Sequence, residues 1–376
     1  MTQMTSQARW LQWSERAFSF NFIAFSFVMF SCLFPTGFSA TFSTLAFVFA
    51  VPLFLNRFSL VKLNSFERYG LFLFGWLSLS VIWSSATIVE SLRFLSEYRV
   101  YFMLPIFILA LALNRNTQLW CIFGAMLGAL VALIASYGLG LGWWKVEGAN
   151  LSLSNHIYHG FIMASFMFLC LLIARDETGW VRILAAVVAL LVFYNVLIIE
   201  KGRTGYLQVG VASVVFIILS FSRFMMLVHL IFVAVLICGA YTIFPKFQDR
   251  VNFTVSNVAE VLTNDENHSS AWQRVEYYRG ALQIARDHPI AGVGVGDVSS
   301  ALEAKTLSGE MRISTDNVHS EFFNMLIAGG IPALFLFSGF LVTIGYSGLI
   351  ARRSSKSIGD ALVGISVIIL ISALFI

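Results

Sequence analysis

The sequence predicts an all-α, polytopic membrane protein, and three observations predict it. Hydrophobic side chains make up 58% of the 376 residues and charged ones only 12%, with a mean hydropathy of +0.82; a soluble globule of that composition would lack the polar surface to cover itself. Apolar runs close to the length of about 20 residues that a helix needs to cross hydrocarbon recur along the chain. The basic residues fall unevenly on alternate connections between those runs, which is the signature of an oriented membrane bundle.

Taken in order, eleven spans are predicted, at 17–34, 38–55, 69–86, 99–113, 119–142, 157–174, 180–199, 205–220, 223–244, 331–350 and 358–376. Tight connections such as Pro35 to Gly37 imply antiparallel neighbours. With a cytoplasmic N-terminus, the inner connections carry twelve basic residues, Arg9, Arg16, Arg57, Lys62, Arg68, Arg115, Arg175, Arg182, Arg223, Arg352, Arg353 and Lys356. The short outer ones carry five, Arg93, Arg99, Lys145, Lys201 and Arg203. The positive-inside rule then puts the long polar interval from Pro245 to Gly330 outside the cytoplasm. Trp143 and Trp144 close the fifth span on that same side, where an aromatic belt belongs. Three regions follow: a transmembrane bundle of about nine spans over 1–244, a helical loop or lid over 245–330, and C-terminal transmembrane helices over 331–376. The eleventh span ends at Ile376 without a polar flank, leaving open whether the chain stops there or a twelfth helix follows.

Composition also excludes some functions. The net charge of +4 comes from Lys and Arg scattered through interhelical loops, which is not the concentrated basic face of a nucleic-acid binder. Cys32, Cys121, Cys170 and Cys238 all sit inside apolar runs, where a thiol packs as a small hydrophobe rather than joining a disulfide framework or metal cluster. No positive segment, short apolar run and A-x-A site open the chain, so the first span reads as a retained helix.

Chemistry is expected in the polar interval, above all between Ser269 and Pro332. Ser270 followed by Gln273 makes a capping box, and Ala271 to Asp287 keeps helical periodicity until His288 and Pro289 stop it. Arg274 and Tyr278, at i and i+4, share a face of that helix. The run from Ile290 to Gly296 reads as a turn region. Its Gly292, Gly294 and Gly296 lack the βαβ context and the lysine of a nucleotide loop. Asp316 or Asn317 is expected to cap a short helix carrying His319, Phe322, Phe323 and Leu326. That helix should break at Gly329 and Gly330, with Pro332 opening the next span.

His319 near a helix N-terminus would be kept neutral by the dipole and so available as a base, with Asp316 and Glu321 near enough in sequence to orient it. As an isolated loop residue it reads more readily as a solvated or hydrogen-bonded histidine than as a catalytic one. Arg203, in EKGRTGY at the mouth between the seventh and eighth spans, has the guanidinium fork that grips a diphosphate bidentately. Snorkelling to lipid headgroups is the alternative. Arg274 and Arg279 could complete a cationic cradle, although Glu276 offers Arg279 an ordinary local partner. His156 and His159 have i,i+3 spacing but no evident third metal ligand, and capping by Ser154 or Asn155 is the simpler reading. Glu90, Arg93, Glu97 and Arg99 are expected to line the outer connection between the third and fourth spans.

Three segments, GRTGYL from Gly202, RVEYYRGALQIARDHPIAGVGVG from Arg274, and VHSEFFNMLIAGGIPALFLF from Val318, resemble the signatures of the O-antigen ligase and polymerase superfamily of bacterial envelopes, over about 197–340. The resemblance implies a GT-C-like bundle of 11–12 helices in the bacterial inner membrane with its active site facing the periplasm. It implies metal-independent, cofactor-free transfer of a glycan from undecaprenyl diphosphate, with no nucleic acid involved. Arg203 and Arg274 match the family's two arginines and His319 its histidine, while Ser320 stands where many members carry Asn. The roles implied are diphosphate binding for Arg203 and Arg274, with a weaker case for Arg279. His319 is the implied general base, supported by Asp316, Ser320 and Glu321. The favoured member is an O-antigen ligase, an inverting enzyme using a sugar hydroxyl of lipid A-core as acceptor. An O-antigen polymerase comes next and a protein O-oligosaccharyltransferase third. A non-enzymatic polyprenyl-glycan transporter would require charges buried mid-span and internal repeats, whereas the candidate charges cluster on the outer side.

Overall fold

A computed structural model describes residues 36–56, 62–113, 115–143, 156–200, 202–245, 247–249, 251–253, 255–256 and 270–375. Every regular element among them is helical. The bundle begins with α1 (Thr36–Asn56), α2 (Ser65–Leu79), α3 (Ile88–Leu113), α4 (Arg115–Gly140), α5 (His156–Asp176) and α6 (Gly179–Tyr194). It continues with α7 (Arg203–Ser220), α8 (Arg223–Ile243), α9 (Ser270–Asp287), α10 (Val298–Leu307), α11 (Glu321–Ala351) and α12 (Lys356–Ala373).

Among the described residues seven helices, α3 to α6, α8, α11 and α12, are long and apolar enough to cross a membrane. This is a multi-pass membrane protein. The predicted span 17–34 lies outside the described residues, and each of the other ten predicted spans has a helix at its position. Two differ in form. The third is short, with α2 tightening into a single 3-10 turn over Ser80–Ile82. The fourth is long, because α3 starts at Ile88 rather than near residue 99.

That early start has a local cause. Thr87 and Glu90 form a reciprocal capping box, in which the Thr87 amide donates to Glu90 Oε2 at 2.8 Å and the Glu90 amide donates to Thr87 Oγ1 at 3.3 Å. Two orphan helix donors are thereby satisfied. Glu90, Arg93, Glu97 and Arg99 consequently ride on the first turns of α3 rather than on the connection expected from the sequence.

A smaller core joins α1, α3 and α4 around Ala46, Ile106 and Cys121, and two large cores hold the bundle. One gathers α2, α3, α9, α10 and α11 around Leu73, Leu77, Leu302, Met325 and Ile327. The other packs α4 to α7 and α12 around Met163, Phe168, Val192 and Ile368. Small residues set the approach in the second, since a Cβ at Gly160 on α5 would lie 2.8 Å from the Gly205 Cα on α7, and one at Gly364 on α12 would strike the Phe168 ring. Close backbone contact of this kind is the main source of helix association in lipid. Cys121 and Cys170 are buried as free thiols, as their apolar surroundings predict.

Candidate functional site

The site is built around a break in α11. Gly330 adopts φ 68° and ψ −164°, dividing a short first segment from the long second one that begins with Ile331 and Pro332. Pro332 suits a first turn because its missing N–H would have no intrahelical partner there. A side chain at Gly330 would run into the Ile290 carbonyl, so the break needs glycine both for its positive φ and for this close approach.

The glycine run docks the short segment. The amides of Val293 and Gly294 donate to the carbonyls of Ile327 and Ala328 at 2.8 and 3.0 Å, and Ile331 N donates to Pro289 O at 2.9 Å. Gly292, Gly294 and Gly296 all have positive φ. These glycines shape a turn, as expected, and use it to satisfy the C-terminal carbonyls of one helical segment. On the other side Val295 N donates to Ser80 Oγ at 3.1 Å, and the Ser91 hydroxyl donates to Val295 O at 3.1 Å.

His319 lies at the opposite, N-terminal end of that segment. The expected cap at Asp316 or Asn317 is corrected, because the helix begins at Glu321 with Ser320 as N-cap and His319 stands outside it. The cause is a local Asx turn, in which the His319 amide donates to Asn317 Oδ1 at 2.7 Å while Thr315 Oγ1 donates to Asn317 O. A short polar side chain that closes on its own backbone competes with helix. His319 is also the one non-glycine residue among those described with positive φ, at 53°.

Arg274 faces the histidine from α9. Burial first, and then the Arg274 charge, hold the His319 imidazole below its ordinary value, while Asp316 pulls it up. At neutral pH the ring is therefore mostly uncharged. Tyr277, on the same helix, has its ring centroid 6.1 Å from that of His319. Tyr278, which shares the Arg274 face as predicted, stacks on Phe323 of α11 at 4.7 Å.

The sequence-predicted supporting residues separate. Asp316 is exposed, and it is the carboxylate whose charge reaches His319. Glu321 turns away and accepts a hydrogen bond from Tyr98 Oη of α3 at 2.9 Å. Ser320 is buried, and its carbonyl accepts the Asn324 amide at 2.9 Å. Arg279 is more than half exposed and pairs with buried Glu276 at 3.6 Å, the ordinary partnership that its spacing suggested.

Arg203 opens α7 after Gly202; its side chain lies outside the described residues, as do Lys201 and the side chain of His156. The turn before it is a π turn over Asn195–Ile199, closed by Glu200 N donating to Asn195 O at 2.9 Å. Glu200 is 1% exposed, and burial pushes its carboxyl up to about 8. Ser154 and Asn155, the expected caps, lie outside the described residues; His159 is buried with Nε2 3.3 Å from Asn195 Oδ1, and Asn195 Nδ2 donates to Ser136 Oγ at 3.0 Å. The network ties α4 and α5 to the π turn.

The C-terminal end of α12 brings α7 and α9 to the same place. Gln208 of α7 donates to Ser372 Oγ at 2.8 Å, Tyr278 of α9 donates to Leu374 O at 3.1 Å, and the Arg274 guanidinium lies 5.5 Å from the Phe375 ring centroid. Arg203 precedes Gln208 by five residues on α7. Sequence reasoning gave Phe375 no part here, since a terminal apolar residue carries no motif.

The seven helices long and apolar enough to cross a membrane among the described residues define a multi-pass membrane protein, with Arg274 and His319 brought together at one end. Residues 195–338, which include Arg203, Arg274 and His319, match the family model described as O-antigen ligase, a match that covers under half of the chain. It supports, in the broad sense, a glycosyltransferase of the O-antigen ligase or polymerase type. None of the curated proteins matches the chain.

Proposed function

We propose that this protein is an O-antigen ligase that moves a polysaccharide from undecaprenyl diphosphate to a sugar hydroxyl of lipid A-core, at the periplasmic face of the inner membrane. What carries the reading is the pairing of Arg274 with a neutral His319 inside the matched stretch. In this reading α9, α10 and the helices after them hold that pair over the membrane surface.

The chemistry asks for two things. A diphosphate leaves readily once its developing negative charge is met, and preorganised cations meet it without reorganisation. Arg274 and Arg203 take that role, Arg274 being steadied by Phe375 and Tyr278 being positioned one turn away. The acceptor hydroxyl must lose a proton as it attacks, and His319 takes it as general base. Depression of the imidazole keeps it unprotonated, and the Arg274 charge that causes part of the depression also discourages a proton from residing there in the resting enzyme. Attack opposite the leaving diphosphate inverts the anomeric carbon. The scheme needs no metal or nucleotide.

The test is to incubate the purified protein with lipid-linked glycan and rough lipopolysaccharide. Transfer of the glycan to the core is expected. Extension of the glycan on its carrier lipid would instead identify a polymerase, and modification of a protein acceptor an oligosaccharyltransferase. Retention of normal transfer by His319→Ala would sink the base assignment.

A further inference from the structure

A cavity of about 610 Å³ lies at the other end of the short α11 segment from His319. Trp83 and Ser85 of the α2–α3 connection form one wall, and His288, Asp297 and Ser300 contribute the polar groups of the other. The remaining walls are glycine and small aliphatic residues. The volume falls within the range of about 300–1,000 Å³ typical of small-ligand sites.

The polar groups are held in fixed positions. Trp83 Nε1 donates to the Ala291 carbonyl at 3.2 Å, which anchors the indole by its edge. Asp297 is 6% exposed, and its Oδ2 accepts from Ser84 Oγ at 2.8 Å and Ser85 N at 2.6 Å while Oδ1 accepts from Ser85 Oγ at 3.0 Å. An ionised carboxylate offers about four acceptor positions; besides these three bonds Ser300 Oγ lies 3.5 Å from Oδ1, but its proton goes to the Asp297 carbonyl at 3.0 Å, which leaves capacity for a further donor. Because the carboxylate is already oriented, a hydroxyl entering the cavity meets it without reorganisation.

The lining selects a ligand class. Among the described residues no Lys or Arg lines the cavity, and a carboxylate does, which disfavours phosphate and other anions. The aliphatic lining is too small in side-chain bulk to suit an acyl chain. An indole, a carboxylate, two serine hydroxyls and an imidazole suit a neutral polyhydroxylated ring, with apolar C–H faces for the indole and O–H donors for Asp297.

We infer that this cavity is a glycan subsite that grips a neutral sugar of the donor polysaccharide away from the reacting end, with Trp83 as the stacking face and Asp297 as the hydroxyl acceptor. The inference rests on the transferase reading above, and its location supports it. Val293, which lines the cavity, and Gly294 beside it bond the C-terminal carbonyls of the segment whose N-terminus follows His319. Nine helical residues, Glu321 to Gly329, span roughly 12 Å. A polymer whose reacting end lies beside His319 has several sugars to lay along that distance, and binding remote from the reaction is what positions the reacting end.

The experiment uses the full chain purified in detergent and, as probe, polysaccharide freed from its lipid carrier by mild acid, with binding read by saturation-transfer NMR. Wild-type protein should bind the freed polysaccharide. Ser300→Trp fills the cavity from an exposed position and should weaken binding about tenfold, the scale of a lost aromatic contact. Trp83→Ala should do the same. Since Trp83 also packs on Trp76, Ser300→Trp decides the matter if Trp83→Ala fails to fold, its own fold being checked by size-exclusion profile and thermal transition. Failure of the wild type to bind, or unchanged binding by folded Ser300→Trp, would overturn the subsite. Binding is read without turnover, so that failure leaves the transferase reading standing, and a transferase failure is seen only in the transfer assay.

Discussion

At one end of the bundle Arg175 of α5 and Arg352, the residue that ends α11, converge on the fully buried Asp360 of α12, with contacts of 2.6 and 2.7 Å. Asp176 and Ser357 extend this cluster. At the other end Arg274 lies over an aromatic ring and faces His319, and no carboxylate pairs with it among the described residues. The same side chain thus does opposite work. Arg175 and Arg352 neutralise a buried charge and lock three helices together, whereas Arg274 keeps its charge available and imposes it on an imidazole. A cation that is already neutralised cannot meet the charge of a leaving diphosphate; one placed over a ring can.

Four substitutions sharpen that contrast, in falling order of effect. His319→Ala should lower transfer by at least about 100-fold, the lower range for a lost acid–base group, with the thermal transition unchanged. Loss of folding instead would make His319 a structural residue like Asp360. Asp360→Asn should do the reverse and leave two arginines around a neutral amide. It should destabilise the protein by about 3 kcal/mol, read as a lower transition temperature. An unchanged transition would mean that the cluster does not hold the bundle.

Tyr98→Phe removes the hydroxyl that binds Glu321 and should cost about 1 kcal/mol, read by the same melt. Arg279→Ala should change stability and transfer very little, by under about 0.5 kcal/mol, because its partnership is partly solvated. A large loss of transfer in Arg279→Ala would return Arg279 to the diphosphate cradle.

Much of the fold was legible because hydrocarbon imposes length and hydropathy on each span. The break at Gly330 was legible as well, since paired glycines before a proline allow few backbone solutions. The long start of α3 was not read, although Thr87 and Glu90 carry a capping-box signal, because charged residues on its first turns resembled a loop. The register of His319 failed for a different reason. Asp316, Asn317 and Ser320 are all competent caps, and only the hydrogen bond between the Asn317 side chain and His319 N decides among them. Pairings across distant segments, such as Tyr98 with Glu321 or Arg274 with Phe375, leave no periodic trace in the chain at all.

The central claim is that Arg274 acts on His319 while remaining free to act on the donor, and the pH–rate profile of Arg274→Gln tests it most directly. In the proposed mechanism transfer requires the neutral imidazole, so activity is expected to be lost as pH falls through the His319 value, which burial and Arg274 together hold below the ordinary histidine value. Removing the cation leaves burial in place and relieves the second cause, so the acid limb should move to higher pH, though not beyond the ordinary histidine value. An acid limb that stays where it is, or moves to lower pH, would contradict the account.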